Sequence, residues 1–261
     1  MQFSKYSGAG NDFIVVDNRD GHFSLAAAPL LCDRHEGIGG DGLLLLESSQ
    51  CADYRMRIIN ADGSEAAQCG NGLRCFMRYL NLEIDGRPQA TVETGGGLVQ
   101  LELRGRQIAA SMPAVETCQW DLPLDIEGTP YDFHSLLVGV PHAVHFGQPS
   151  DLFQIGRAVR NHAQFAPHGT NVNFAWFNPA GELEVRTYER GVEGLTQACG
   201  TGAVATACAA ARLHGLPSPI TLRTLRGDAL QVALRREGEG FGGIELVGPA
   251  DFVFRGVWNK G

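Results

Sequence analysis

Two cysteines introduce the same short motif in the two halves of the sequence. Cys69-Gly70-Asn71-Gly72 is followed 130 positions later by Cys199-Gly200-Thr201-Gly202. The residues beyond each motif predict a helix, over 73–82 and over 203–214. At the start of a helix the unpaired N–H groups and the positive end of the dipole lower the pKa of a nearby thiol. Each motif therefore predicts a reactive cysteine, beside backbone N–H groups that glycine leaves open to a ligand.

A pair of thiols can invert a carbon centre. One thiolate removes the α-proton from one face while a thiol on the opposite face returns a proton. A lone cysteine is more often an inert core residue, but the repeated context favours this catalytic role for Cys69 and Cys199. A substrate carboxylate and the developing carbanion would be stabilised by free backbone N–H groups. Those groups belong to Gly70, Asn71, Gly200 and Thr201.

The sequence favours chemistry without a cofactor or a metal. A pyridoxal phosphate enzyme needs a lysine in its pocket, and the two lysines, Lys5 and Lys260, lie near the chain ends. No C-x-x-C pair exists, which gives little support to zinc or thioredoxin-type chemistry. The stretch 37–42 matches G-x-G-x-x-G, but strand-like residues follow it where a dinucleotide site needs a helix. It predicts a tight turn instead. The spacing of His142 and His145 places them on opposite faces of a strand, which argues against a shared metal.

Composition indicates an ordinary globular protein. The 261 residues are 44% hydrophobic and carry a formal net charge of -8, with no basic run and no apolar run long enough for a membrane helix. We therefore expect neither nucleic acid nor membrane as a partner. Seven cysteines without a signal peptide predict free thiols and a cytoplasmic location. The remaining five are predicted to be small core residues: Cys32, Cys51, Cys75, Cys118 and Cys208.

The elements around the two motifs also correspond. A strand-like stretch and a polar turn precede each motif, over 54–63 and 181–191, and two further strands follow each helix. The sequence 203–213 is apolar almost all round, which predicts a helix inside a core. Residues 112–132, with three prolines and weak periodicity, are the predicted join. The chain is therefore predicted to fold as two similar α+β domains.

Four segments resemble the diaminopimelate epimerase family. They are Ser7–Phe13, Arg34–Gly42, Asn60–Ala66 leading to Cys69-Gly70-Asn71-Gly72, and Tyr188–Gly191 leading to the second motif. The resemblance implies a cofactor-independent two-base epimerase that interconverts LL- and meso-diaminopimelate for lysine and peptidoglycan precursors. It implies two pseudo-symmetric domains, each a strand-rich sheet wrapped around a central buried helix. Their expected bounds are 1–113 plus about 250–261, and 114–249. A homodimer is also expected.

The resemblance extends to individual site residues. Cys69 and Cys199 match the catalytic pair, and His142 and Glu189 match auxiliary residues, of which His142 would tune one thiol. Glu189 could accept from the distal ammonium of the substrate, and Arg190 could grip its distal carboxylate. The full set of residues that match substrate contacts is Asn11, Asn60, Asn171, Glu189 and Arg190.

Two departures from the family leave the substrate open. Val140 precedes Pro141-His142 where asparagine is common, and the segment 191–198 is one residue longer than the usual form. A racemase of glutamate or histidine in the same family is therefore an alternative. A thiol oxidoreductase would also use reactive cysteines, joined as a disulfide during turnover. A non-catalytic module that binds amino acids is the third alternative.

Overall fold

The computed structural model describes residues 1–238 and 240–259, except for the side chains of Thr117 and Cys118. The chain forms two compact units, Met1–Ser111 with Val247–Gly261 and Met112–Leu246. The sequence placed these bounds at 1–113 plus about 250–261 and at 114–249. Strands outnumber helices in both units, so the fold is α+β, as predicted.

The first unit wraps its strands around one buried helix. That helix, α2, packs against β1, β2, β7, β8 and β18, and its residues from Asn71 to Met77 are all buried. A π-helical turn, Leu80–Ile84, extends it. The elements up to the first boundary are β1 (Gln2–Gly8), β2 (Asn11–Asp17), α1 (Ala28–Cys32), β3 (Gly42–Glu47), β4 (Tyr54–Asn60), β5 (Glu65–Ala66), α2 (Gly70–Tyr79), β6 (Gln89–Thr94), β7 (Gly97–Arg104) and β8 (Gln107–Ser111).

The second unit has the same plan around helix α4. Residues Gly202–Ala210 of α4 are all buried, and their small side chains let strands approach closely. The elements are β9 (Thr117–Ile126), β10 (Thr129–Val138), β11 (Val140–Phe146), α3 (Leu152–Arg160), β12 (Asn171–Phe177), β13 (Leu183–Glu189), β14 (Gly194–Thr196), α4 (Gly200–Leu213), β15 (Ile220–Arg223), β16 (Ala229–Glu237) and β17 (Gly240–Pro249); β18 (Asp251–Val257) then pairs with β1 in the first unit.

Strand pairing repeats from one unit to the other. In the first unit β2 is parallel to β3, which is antiparallel to β4, and β4 pairs with both β5 and β6. In the second, β11, β12, β13, β14 and β15 pair in the same order and orientation. Position by position, Leu44 opposite Ile58 corresponds to Asn173 opposite Thr187. The duplicated motif therefore belongs to a duplicated topology.

Three predictions need correction. Both helices begin at the glycine after the cysteine, three residues earlier than predicted, because the cysteine itself is the N-cap. The proposed join contains β9 and the start of β10, where Pro123 and Pro130 lie within paired strands. Cys51 is exposed in the loop after β3, and its thiol donates to Glu93, 3.6 Å away. Cys32, Cys75 and Cys208 are buried as predicted, and the side chain of Cys118 lies outside the described residues.

The glycine-rich stretch 37–42 is an irregular bend that follows a turn at 34–36 and leads into strand β3; a strand follows it, as predicted, and the tight turn lies just before it. No helix in 1–238 or 240–259 is long and apolar enough to cross a membrane.

Candidate active site

Cys69 caps the N-terminus of α2. Its backbone is extended, and its Sγ accepts a hydrogen bond from the Gly72 N–H at 3.4 Å. The glycine matters here because a Cβ on Gly72 would lie 3.1 Å from the Leu44 side chain beneath it. The thiol is partly exposed, at the end of the helix where backbone N–H groups are available to an anion.

A fully buried arginine braces this helix end. The Arg74 guanidinium donates to the Gly70 carbonyl at 3.2 Å, to Asn71 Oδ1 at 2.6 Å and to the Pro249 carbonyl at 3.2 Å. The Asn71 amide in turn donates to Asn11 Oδ1 at 2.5 Å. Two predicted ligand-binding residues, Asn11 and Asn71, are therefore joined in one directed chain of hydrogen bonds.

Asn11 is held from its other side by charged residues. Its Nδ2 donates to Asp41 at 3.0 Å, and Arg34 bridges Asp41 at 2.9 Å and Asp12 at 2.6 Å. Lys5, which is 5% exposed, pairs with Asp12 at 2.8 Å. Burial raises the pKa of Asp12, but hydrogen bonds from Arg34 and Lys5 outweigh this effect and lower the pKa to about 2. The Asn11 amide thus has a fixed orientation.

Sequence reasoning missed Arg74, Arg34 and Asp41 as supports of the site. The last two lie in the segment 34–42 that carries the resemblance, yet nothing in the sequence shows that they reach Asn11. Asn60 is exposed at the end of β4, and its Nδ2 donates to the Ser64 hydroxyl at 2.9 Å.

Cys199 occupies the N-cap position of α4, as Cys69 does in α2, but its side chain makes no capping hydrogen bond to the helix backbone. Its backbone is extended, and its Sγ lies 3.6 Å from the Thr201 hydroxyl. Below the first turn of α4 lie side chains of the sheet. A Cβ on Gly202 would be 2.3 Å from Asn173 Oδ1 and 3.0 Å from Thr187 Oγ1. Glycine is therefore required where α4 meets this sheet.

The sheet face under the first turn of α4 contains a polar cluster. His142 on β11 is directly opposite Asn171 on β12, and Asn173 on β12 is directly opposite Thr187 on β13. None of the four side chains is more than 5% exposed. His142 and Asn171 were predicted as site residues. Asn173 and Thr187 were not, because in the sequence pattern they look like ordinary strand residues.

Asn171 fixes the end of strand β13, where Glu189 and Arg190 lie. Its Nδ2 donates to the Pro141 carbonyl at 3.2 Å, and its Oδ1 accepts the Arg190 backbone N–H at 2.9 Å. Burial raises the pKa of Glu189, and the nearby Thr196 side chain partly opposes this. The structure therefore brings Asn171, Glu189 and Arg190 together at the end of β13.

The turn after Arg190 is held by an ion pair. Glu193 accepts the Gly191 N–H at 3.1 Å and pairs with Arg160 of α3 at 2.9 Å. The guanidinium of Arg190 donates to the His168 carbonyl at 3.4 Å. The lengthened loop flagged in the sequence is thus anchored on α3, with Arg190 partly exposed.

His142 is completely buried and electrically neutral. Burial, with a smaller effect of the nearby positive Arg190, lowers the pKa of His142 to about 3. Its Nδ1 is 3.2 Å from Asn173 Nδ2, and its Nε2 has no hydrogen-bond partner among the described residues. Within residues 1–238 and 240–259, no cluster of three or more His, Cys, Asp or Glu could hold a metal ion.

Comparisons with known proteins agree with the motifs. The sequence profile of the family described as "Diaminopimelate epimerase" matches residues 3–116 and 135–253. The chain is 38% identical to a diaminopimelate epimerase of Caldanaerobacter subterraneus, over 98% of each chain. It is 37% identical to one of Pseudomonas fluorescens, again over 98% of each chain.

Solved structures show the same fold at lower sequence identity. A phenazine biosynthesis protein of the PhzF family from Bacillus anthracis aligns with a TM-score of 0.76 and 13% identity, over 98% of this chain and 97% of that one. A hydroxyproline epimerase from Agrobacterium vitis aligns with a TM-score of 0.69 and 17% identity, over 98% and 90% of the two chains. At these identities the likeness concerns the fold alone.

Proposed function

Because this chain belongs to the diaminopimelate epimerase family, we propose that it interconverts LL- and meso-diaminopimelate by two-base proton transfer between Cys69 and Cys199. The observation that carries the mechanism is that each cysteine caps the N-terminus of a buried helix in one of two units of equal topology. The product would serve the synthesis of lysine and of peptidoglycan precursors.

The chemistry requires one thiolate and one thiol. The thiolate takes the α-proton from one face of the substrate carbon, and the C–H electron pair remains as a carbanion conjugated with the carboxylate. The second cysteine donates its S–H proton to the opposite face and becomes the thiolate. The reverse reaction exchanges the two roles, and no electron acceptor or cofactor takes part.

Backbone N–H groups at both helix starts would hold the reacting carboxylate. The groups of Gly70, Asn71, Gly200 and Thr201 are the candidates, since the first N–H groups of a helix have no partner within it. Their fixed dipoles would stabilise the negative charge that develops on proton removal.

The distal end of the substrate carries a second ammonium and a second carboxylate. Arg190 offers a planar pair of donors to that carboxylate, and Glu189 offers an acceptor to that ammonium. Asn11, Asn60 and Asn171 complete the proposed contacts, and Asn11 and Asn171 are already oriented by hydrogen bonds. His142 would act as an auxiliary group near Cys199.

The decisive experiment is incubation of the reduced protein with LL-diaminopimelate in D2O without pyridoxal phosphate, followed by NMR. We expect the meso isomer to form with deuterium at the α-carbon. Cys69→Ala and Cys199→Ala should each abolish the reaction, whereas Cys51→Ala, which removes an exposed thiol, should leave it intact. Failure of all amino acids to exchange the α-proton would refute the two-thiol mechanism.

The same experiment separates the alternatives. Val140 lacks the amide that would contact the distal end of the substrate, so glutamate and histidine should be assayed in parallel. Exchange with one of them alone would keep the mechanism and change the substrate. Ligand binding that survives replacement of both cysteines, without any exchange, would identify a binding module. Turnover that requires an electron acceptor would identify a thiol oxidoreductase.

The proposal includes a homodimer in the cytoplasm. Strand β18 exposes three consecutive apolar side chains, Phe252, Val253 and Phe254, at 39%, 52% and 44%. A contiguous apolar strand of this kind is typical of a contact with another chain. Val253→Glu should shift sedimentation equilibrium toward a monomer, whereas a wild-type protein that is already monomeric would contradict the dimer. A cytoplasmic location fits catalytic thiols that must stay reduced.

A further inference from the structure

The polar face beneath α4 is not required by the fold. The repeated strand register makes Phe13, Leu44 and Ile58 the first-unit equivalents of His142, Asn173 and Thr187. All three belong to the apolar core of the first unit, where they form the same kind of sheet under α2. The second unit therefore buries a histidine, an amide and a hydroxyl where hydrophobic residues support an equivalent helix.

The hydrogen bonds of Asn173 have only one consistent direction. Its Nδ2 is 3.1 Å from the Ala143 carbonyl, which can only accept. Its Oδ1 is 2.9 Å from the Thr187 hydroxyl, which donates to it. The amide group thus presents N–H toward His142 as well. The orientation of Asn173 is fixed by Ala143 on one side and Thr187 on the other.

This direction determines the tautomer of His142. Because Asn173 donates to Nδ1, that nitrogen carries no proton, and a neutral imidazole then carries its proton on Nε2. The Nε2–H is buried and has no acceptor among the described residues. An unsatisfied buried donor is costly, and unsatisfied groups in native proteins call for a functional explanation.

We propose that Asn173 and Thr187 are positioning residues that hold His142 as an Nε2–H donor for an anion at the N-terminus of α4. This inference rests on the proposed function. The anion is the Cys199 thiolate or the carboxylate of the bound substrate, both of which accept hydrogen bonds and carry negative charge. His142 then stabilises charge at the reacting end of α4 and does not take a proton from Cys199.

The first measurement reads the tautomer and does not depend on activity. Protein labelled with 15N-histidine should show an Nδ1 without a proton and a protonated Nε2 for one residue between pH 5 and 8. The absence of these signals in His142→Gln would assign them. A proton on Nδ1, or an imidazolium at neutral pH, would overturn the proposal.

Asn173→Asp is the sharpest variant. A carboxylate in this place can only accept, so it should move the imidazole proton to Nδ1 and remove the Nε2–H donor. Because a hydrogen bond to a charged group contributes about 1.5–3 kcal/mol, we expect catalysis to fall by about ten-fold or more. Asn173→Leu, which copies Leu44 of the first unit, should remain folded and show the same loss. Full activity in both variants would refute a positioning role.

A matched pair of threonine variants controls for packing. Thr187→Val removes the hydroxyl that fixes Asn173, whereas Thr206→Val removes a buried hydroxyl of α4 that donates to the Gly202 carbonyl. We expect a lower rate for Thr187→Val, with recovery in Thr187→Ser, and a rate within about two-fold of wild type for Thr206→Val. Equal losses in the two valine variants would indicate packing alone and would refute the proposal.

Whether kcat or KM changes in these variants identifies the anion. A fall in kcat with a shifted acid limb of the pH profile assigns the donor to the Cys199 thiolate, and a rise in KM with unchanged kcat assigns it to the substrate carboxylate. A wild-type protein without activity on any amino acid would refute the proposed function. Wild-type activity with Nδ1 protonated would refute only the present inference.

Discussion

The N-termini of α2 and α4 have similar backbone conformations but differ in where the nearby buried polar groups lie. In the first unit the sheet beneath α2 is apolar, and the helix itself carries a buried cation, Arg74. In the second unit the sheet beneath the first turn of α4 contains the polar cluster of His142, Asn173 and Thr187, and the helix has Val204 at the position equivalent to Arg74. A duplicated fold has therefore kept its topology while giving its two cysteines different surroundings.

This difference would suit the proposed mechanism, in which the two thiols begin in different protonation states. A fixed cation favours an anion over a long range, whereas a neutral imidazole favours one only through a hydrogen bond. An apolar sheet suffices to hold a helix of this kind, since buried polar groups can often be replaced by hydrophobic residues without loss of stability. The polar residues beneath α4 are therefore better explained by the proposed chemistry than by the stability of the fold.

Removal of the buried cation should have the largest effect on stability. Arg74→Met would remove the hydrogen bonds that Arg74 donates to the Gly70 carbonyl, Asn71 Oδ1 and the Pro249 carbonyl. The bond to Asn71 is buried and the other two are partly buried, so at about 1–3 kcal/mol for a buried group the free energy of unfolding should fall by about 2–4 kcal/mol. Urea denaturation measures it.

Arg78→Met provides the matched control for this prediction. Arg78 lies on the same helix and donates to two carbonyls, those of Ala250 and Arg106, the second at an exposed position. We expect a loss of about 1–2 kcal/mol, because water can replace part of these bonds. A larger loss for Arg78→Met than for Arg74→Met would mean that the buried cation does not anchor the unit.

As the pH falls, His142 in the second unit should lower the stability of the protein before Asp12 in the first unit does. The folded-state pKa of His142 is about 3, below its unfolded value of ~6.5, so the unfolded chain binds the proton and stability is lost as pH falls below ~6.5. At about 1.4 kcal/mol per pH unit, the loss near pH 5 is about 2 kcal/mol. Unfolding curves of wild type and His142→Gln should therefore diverge in their pH dependence between about pH 6.5 and 4.

The first unit offers the comparison for this pH series. The pKa of Asp12 is lowered to about 2 in the folded state, so its contribution is present above the unfolded value of ~3.9 and is lost only as pH falls toward 2. Asp12→Asn should thus change the slope of stability with pH below ~4 and not above ~5. A common pH window for the two variants would contradict the assignment.

The two cysteines before buried helices and the duplicated plan could be predicted because both are local in the chain. A cysteine before Gly-x-Gly, a following helix and alternating strands can be recognised within about 15 residues. The β9–β10 hairpin was missed because its prolines were taken as a linker signal, although they occupy paired strands. Cys51 was assigned to the core because residue type alone does not show exposure.

The supports of the site depend on contacts between distant residues. In a strand pattern the positions of Asn173 and Thr187 look the same as positions that valine could occupy. The hydrogen bonds from Thr187 to Asn173 and between Asn173 and His142 exist only once β11, β12 and β13 pair. Comparison of the two halves could have found them, since Leu44 and Ile58 stand at the equivalent positions. The same holds for Arg74, whose equivalent is Val204.

The smallest expected effect comes from an equivalent pair of glycines. A Cβ on Gly202 would meet Asn173 Oδ1 at 2.3 Å, an atom that Thr187 already holds, whereas a Cβ on Gly72 would meet the flexible end of Leu44 at 3.1 Å. Alanine gains about 1 kcal/mol of helix propensity over glycine in both places. We therefore expect Gly72→Ala to change stability by less than about 1 kcal/mol, and Gly202→Ala to lose about 1–2 kcal/mol. Since the displaced Asn173 amide orients His142, only Gly202→Ala should also alter the 15N signals of that histidine. Equal changes in stability and in these signals for the two substitutions would show that the polar cluster under α4 is no more rigid than the apolar sheet under α2.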